Sequence, residues 1–76
     1  MNIENLHETI GDLSNREVDV LRLLLRGFPN QQIAAELRIC EKTVEKHLTN
    51  IYNKLGVSSR SEAILWGVKK GRDFPT

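Results

Sequence analysis

The chain is short of most features that would mark a secreted, membrane-bound or catalytic protein. Cys40 is its sole cysteine, so no intramolecular disulfide can form. No apolar run approaches the roughly 20 residues needed to span a bilayer, and no secretory pattern opens the sequence, so a soluble cytoplasmic domain with no membrane partner is expected. Aromatic residues are 5% of the chain, too few to line a channel where single-stranded nucleic acid would stack. There is no nucleophile and base set, no phosphate-binding glycine loop and no paired carboxylates, so no enzyme and no catalytic residue is expected. Cys40 and His47, seven residues apart, make too small a ligand set for zinc, and His7 lies in a weak N-terminal segment; no metal and no cofactor is expected.

Strong charge of one sign is also missing. Eleven basic and ten acidic residues leave a net +1, but they are unevenly placed: residues 1–19 carry −4 and residues 20–76 carry +5. An anionic partner belongs at the basic end. With 76 residues the chain supports one small domain. A chain of this size hides only about 60% of its unfolded surface on folding, so its stability is marginal without a second copy.

What is present is helical. Ile3, Leu6 and Ile10 give the first dozen residues a short, acidic pattern that reads as a linker or marginal helix over 1–12. Ser14 followed by Glu17 is a Ser-x-x-Glu capping box, which starts a helix at Asn15. Val18, Leu21, Leu24 and Leu25 supply its buried stripe, and Gly27 can take the left-handed turn that closes it. Pro29 disfavours helical geometry at Phe28. Asn30 is then the expected cap of a short second helix, NQQIAAEL. Gly56 ends a long third helix, and Ser59 with Glu62 repeats the start signal for a fourth helix over 60–70. No strand pattern or internal repeat is found.

The third helix, over 41–55, organises the rest. At about 100° per residue, Val44, Leu48, Ile51 and Leu55 fall within roughly 60° of one another and read as core. Lys42, Glu45, Lys46, Thr49 and Asn53 share a polar arc opposite, flanked by Asn50 and Lys54. Charged donors, an acidic acceptor, a hydroxyl and an amide in one row can read base edges in a major groove, although on this helix alone the polar outer face of any surface helix is the favoured reading. A connection of about four residues joins this helix to the second one and forces a sharp crossing, the helix-turn-helix arrangement, over 30–49. Ala63, Ile64, Leu65, Trp66 and Val68 cover more of the fourth helix than one stripe, so part of it is left for a partner.

Taken together these residues carry a family likeness. Leu13-Ser14-x-Arg16-Glu17-x-x-Val20-Leu21, Gly27, Asn30-x-x-Ile33-Ala34-x-x-Leu37-x-Ile39, Thr43-Val44-x-x-His47-Leu48-x-Asn50-Ile51-Tyr52-x-Lys54-Leu55-Gly56-Val57 and Ser59-Arg60-x-Glu62-Ala63 resemble the LuxR/FixJ-type (GerE-like) helix-turn-helix DNA-binding domain of bacterial transcription regulators. The likeness runs from Leu13 to about Gly71 without a gap, and the domain is assigned to 13–72. It implies an all-α, four-helix fold serving as the DNA-binding output domain of a regulator such as a response regulator, with the third helix in the major groove of double-stranded DNA. It also implies that Glu45, Lys46 and Thr49 meet bases, and that Lys42, Thr43, Asn50, Lys54 and Arg60 lie near backbone-contacting positions, Arg60 alternatively fastening the fourth helix. Ile64, Leu65, Trp66 and Val68 are the expected homodimer contacts, and RNA polymerase is a further candidate partner.

Two departures from the family pattern stand out. Cys40 takes the place of the usual serine at the start of the third helix, and Pro29 that of the usual serine or threonine before the second. Two rival readings share features with the chain. The polymerase-contacting region of a sigma factor has the Leu-Ser-x-Arg-Glu opening and the Ile-Ala-x-x-Leu helix, but usually lacks the tail from Lys54 to Arg60. A helical protein-interaction module would carry the same polar arc and touch no DNA.

Overall fold

A computed structural model describes residues 11–70, which form four α-helices: Asn15–Leu25 (α1), Asn30–Leu37 (α2), Glu41–Leu55 (α3) and Arg60–Lys70 (α4). Of the expected N-terminal linker or marginal helix, residues 1–10 lie outside the described residues. The protein is all-α, and no strand occurs among the described residues.

Each helix inherits its bounds from a few side chains. At α1 the Ser14 hydroxyl accepts from the Glu17 amide at 3.1 Å, and the Ser14 amide donates to Glu17 Oε1 at 2.9 Å, a closed capping box. The same helix ends on Gly27 at φ +89°, with the Phe28 amide donating to the Leu23 carbonyl and the Gly27 amide to Leu24. This paired closure satisfies carbonyls that the helix leaves unmatched. α3 stops the same way on Gly56 at φ +73°, where the Val57 amide reaches the Tyr52 carbonyl. α2 also stops in the left-handed conformation, but on Arg38 at φ +58°.

At the two helix-turn-helix starts the side chains do less. Pro29 occupies the cap position of α2 and Cys40 that of α3, and neither makes a side-chain capping bond. The expectation that Asn30 caps α2 is therefore corrected: Asn30 is the first helical residue, and its side-chain oxygen turns to Arg60 instead. α4 opens with the Glu62 amide on the Ser59 hydroxyl at 3.2 Å, while the Glu62 carboxylate accepts from the Ser58 amide, one residue short of a reciprocal box.

One core joins all four helices. Val20, Leu21 and Leu24 of α1, Ile33 of α2, Val44 and Ile51 of α3 and Ala63 of α4 are shut off from solvent, with Leu13, Leu23, Ala34, Leu48 and Trp66 nearly so. Burying side chains of this size contributes about 1.5–3 kcal/mol each, and this packing holds an eight-residue helix such as α2 that would not form alone. α4 comes close to α1 at Gly67, where a Cβ would lie 2.3 Å from Leu25 Cδ2. That glycine had no visible reason in the sequence, since only the packed neighbour supplies it.

Candidate nucleic-acid interface

The spacing of Val44, Leu48 and Ile51 fixes which way α3 faces. All three are buried, at 0–4% exposure, against α1 and α2. The helix can therefore roll in neither direction without lifting a core residue into water. Its other side is left outward: Lys42, Glu45, Lys46, Thr49, Asn50 and Asn53 are all exposed, and no part of the described chain lies over them. Thr43 and His47 are half-buried at the margin of this face.

The polar face is only partly self-engaged. The Thr49 hydroxyl donates to the carbonyl of Glu45 at 3.1 Å, one helical turn back. A carboxylate between Lys42 and Lys46 is expected, slightly ahead of a base-reading role, to pair with one of them, but Glu45 forms no ion pair among the described residues. At the start of the helix the Cys40 thiol and the Thr43 hydroxyl share a hydrogen bond of 3.1 Å. That bond holds the exposed thiol below its ordinary pKa.

Two residues expected at the DNA backbone are committed inside the protein. Lys54 Nζ lies 2.7 Å from Glu17 Oε1, in an ion pair that ties the end of α3 to the start of α1. Glu17 is 4% exposed, and burial pushes its carboxyl up. The Lys54 hydrogen bond, the Ser14 amide, the Lys54 charge and the Ser14 hydroxyl together outweigh burial, so its pKa sits below the usual carboxylate value. Arg60 donates through Nη1 to Asn30 Oδ1 at 2.7 Å and through Nη2 to the Phe28 carbonyl. The Arg26 guanidinium stands 5.3 Å from the Phe28 ring, so the α1–α2 turn is held by two arginines. Arg60 thereby ties the start of α4 to the α1–α2 turn. Lys42, Thr43 and Asn50 remain on the exposed or half-exposed side of α3.

Beside this face runs an open groove of roughly 400 Å³, lined by Asn30, Glu45, Leu48, Thr49, Tyr52 and Arg60. Burial pushes the Tyr52 hydroxyl above its ordinary pKa, against the opposing charge of Arg60. Sequence reasoning had no means of finding this groove, because its walls come from three helices.

The fourth helix corrects one expectation. Trp66, placed with the dimer contacts, is 8% exposed and belongs to the core, because the face of α4 that carries Ala63 and Gly67 is turned inward and Trp66 lies on it. Leu65 and Val68, three residues apart on the other face, are 53% and 73% exposed, and Ile64 is half-buried between the two. No helix among the described residues is long and apolar enough to cross a membrane, and they contain no group of three or more metal-ligating side chains.

Comparison with known proteins places this geometry in context. The family described as "Bacterial regulatory proteins, luxR family" matches residues 12–66. The transcriptional regulatory protein YdfI of Bacillus subtilis (strain 168) is 44% identical over 59 residues, covering 78% of this chain and 28% of that protein. The oxygen regulatory protein NreC of Staphylococcus aureus (strain JH9) is 43% identical over 58 residues, 76% of this chain and 27% of that one. The chain thus spans little more than a quarter of the length of these curated relatives. Among solved structures, that of the transcription factor GerE superposes with a TM-score of 0.66 at 44% identity, covering 78% of this chain and 88% of that chain.

Proposed function

Because the chain belongs to the luxR family of bacterial regulatory proteins, we propose that it is a DNA-binding output domain of a transcription regulator that reads the major groove of double-stranded DNA with α3. The observation that carries this reading is the uncovered polar side of α3, with Lys42, Glu45, Lys46, Thr49 and Asn50 outward and Val44, Leu48 and Ile51 locked beneath. Glu45, Lys46 and Thr49 choose the sequence, and Lys42, Thr43 and Asn50 set the register through phosphates. Lys54 and Arg60 act one step back by fixing α3 to α1 and α4 to the α1–α2 turn. The role is recognition rather than catalysis, in the cytoplasm where bacterial DNA lies.

The exposed pair Leu65 and Val68, flanked by Ile64, is the surface on which two copies meet. Pairing of the domain through α4 would place two α3 helices on neighbouring half-sites, so a palindromic or directly repeated operator is expected. RNA polymerase is a further partner in this reading, reached once the domain is seated on its operator.

A mobility shift at two salt concentrations tests the reading, because binding that neutralises phosphates must weaken as salt rises. Lys46→Ala is expected to cost about 1–3 kcal/mol on the preferred site with little change in salt slope, whereas Lys42→Ala should lower the slope by about one on every duplex. A chain that shifts no duplex at low salt would leave the polar arc to a protein partner.

A further inference from the structure

The exposed ridge at Glu45 and Thr49 has a hydrogen-bonding character that neither residue type specifies alone. Threonine is ordinarily ambidextrous, with one donor and two acceptor lone pairs. Here its hydrogen is spent on the Glu45 carbonyl 3.1 Å away, which leaves the oxygen lone pairs and the γ-methyl for anything that approaches from outside. An ionised glutamate is acceptor-only. Glu45 has no ion pair among the described residues to blunt it, and both side chains are exposed along one wall of the groove. The two residues, one turn apart and about 6 Å along the axis, form a row without a free donor.

Base edges divide sharply against such a row. Guanine offers the major groove two acceptors, O6 and N7, and would be repelled. Adenine offers its N6 amine beside the N7 acceptor, so a carboxylate gains one contact and suffers another. Cytosine offers its N4 amine with no acceptor of its own beside it, the base edge that opposes an anionic acceptor least. Lys42 and Lys46, exposed on either side of Glu45 in sequence, offset the repulsion between its charge and the phosphates.

Resting on the reading that α3 enters the major groove, we propose that Glu45 selects cytosine by accepting from its N4 amine. In the same proposal Thr49 stands beside it as a non-donating neighbour whose lone pairs oppose guanine and whose γ-methyl can pack against a thymine methyl. The side chain usually expected to weaken binding to a polyanion is then the one that sets the sequence.

The test is selection of bound duplexes from a random pool by the 76-residue chain and by two isosteric variants, Glu45→Gln and Thr49→Val. The native chain should enrich sites with a fixed cytosine. In Glu45→Gln the amide adds a donor that matches adenine N7, so that position should switch from cytosine to adenine, with a change in preference of about tenfold or more. Thr49→Val removes the outward lone pairs, and should admit guanine beside the Glu45 contact while keeping the cytosine that Glu45 selects. Enriched sites that are the same for the native chain and Glu45→Gln, or an unchanged exclusion of guanine in Thr49→Val, would overturn this inference while leaving DNA binding intact. If the native chain retains no duplex at low salt, the underlying DNA reading falls and this inference falls with it.

Discussion

α1 and α2 face the same difficulty, unmatched backbone groups at both ends, and meet it in opposite ways. α1 opens with a closed Ser14–Glu17 box and ends on Gly27. α2 opens on Pro29 with no side-chain cap and ends on Arg38 forced to φ +58°. The first helix is specified by its own sequence. The second is held from outside, by the burial of Ile33 and Ala34 and by Arg60 reaching back to Asn30. Since residues 38–40 lead directly from α2 into α3, the helix that aims the polar face is itself positioned by tertiary contacts. The cost of that arrangement is carried by α1 and the core, where the local and global preferences agree.

The most damaging way to break this comparison is to strip α1 of its advantage. Glu17→Ala removes a cap, a buried ion-pair partner for Lys54 and packed volume in one step, and should cost about 2–3 kcal/mol of stability in urea denaturation. Lys54 is 37% exposed and can recover water, which keeps the loss below that of a fully buried pair. The sign of the pH effect follows from the lowered pKa of Glu17. The unfolded carboxyl, with a pKa of about 4.3, takes up a proton before the folded one does. Its contribution is therefore present above that value and is lost as the pH falls through the folded pKa. The native protein should weaken over this acid range, and Glu17→Ala should lack that part of the slope. Equal acid sensitivity in both would show that Glu17 is not the group being titrated.

A smaller change sharpens the comparison from the other end. Arg38→Gly relieves a left-handed residue that carries a Cβ, and should stabilise the chain by up to about 1 kcal/mol once the added freedom of the unfolded chain is counted. Gly27→Ala places a side chain in the corresponding position after α1 and should lower stability by about 1 kcal/mol, even though nothing lies within 4 Å of the new Cβ. Thermal melts of the two variants should move in opposite directions. Shifts of the same sign would mean that packing, not backbone conformation, decides how these helices end.

The same contrast explains what was legible in the sequence. The Ser14–Glu17 start, the glycine stops at Gly27 and Gly56, and the inward stripe of α3 are local patterns, decided within a few residues by capping chemistry and helical periodicity. Arg38 was invisible as a stop because nothing in an arginine announces a positive φ. The Lys54–Glu17 and Arg60–Asn30 contacts join residues 37 and 30 positions apart, so no local pattern names the partner of Lys54, and the family likeness offers fastening of the fourth helix by Arg60 without naming Asn30. Trp66 was assigned outward because α4 is apolar on more than one side; only the approach at Gly67 decides which side is core. The polar arc of α3 was found because it is the complement of a clear stripe. Its donor and acceptor balance was not, since a threonine hydroxyl's partner is set by its rotamer.

The smallest expected effect lies at the joint itself. Cys40 caps α3 only by its backbone, with the Thr43 and Val44 amides on its carbonyl at 3.1 and 3.2 Å, while its thiol bonds the Thr43 hydroxyl. Serine places a shorter, stronger acceptor in the same position, able to take a first-turn amide that the thiol leaves unmatched. Cys40→Ser should therefore raise the melting temperature by a few degrees at most. It would also release the Thr43 hydroxyl toward the phosphates, so tighter binding on every duplex should accompany the rise. A lower melting temperature would instead show that the thiol–hydroxyl bond outweighs a cap, making Cys40 a fitted part of this α3 start.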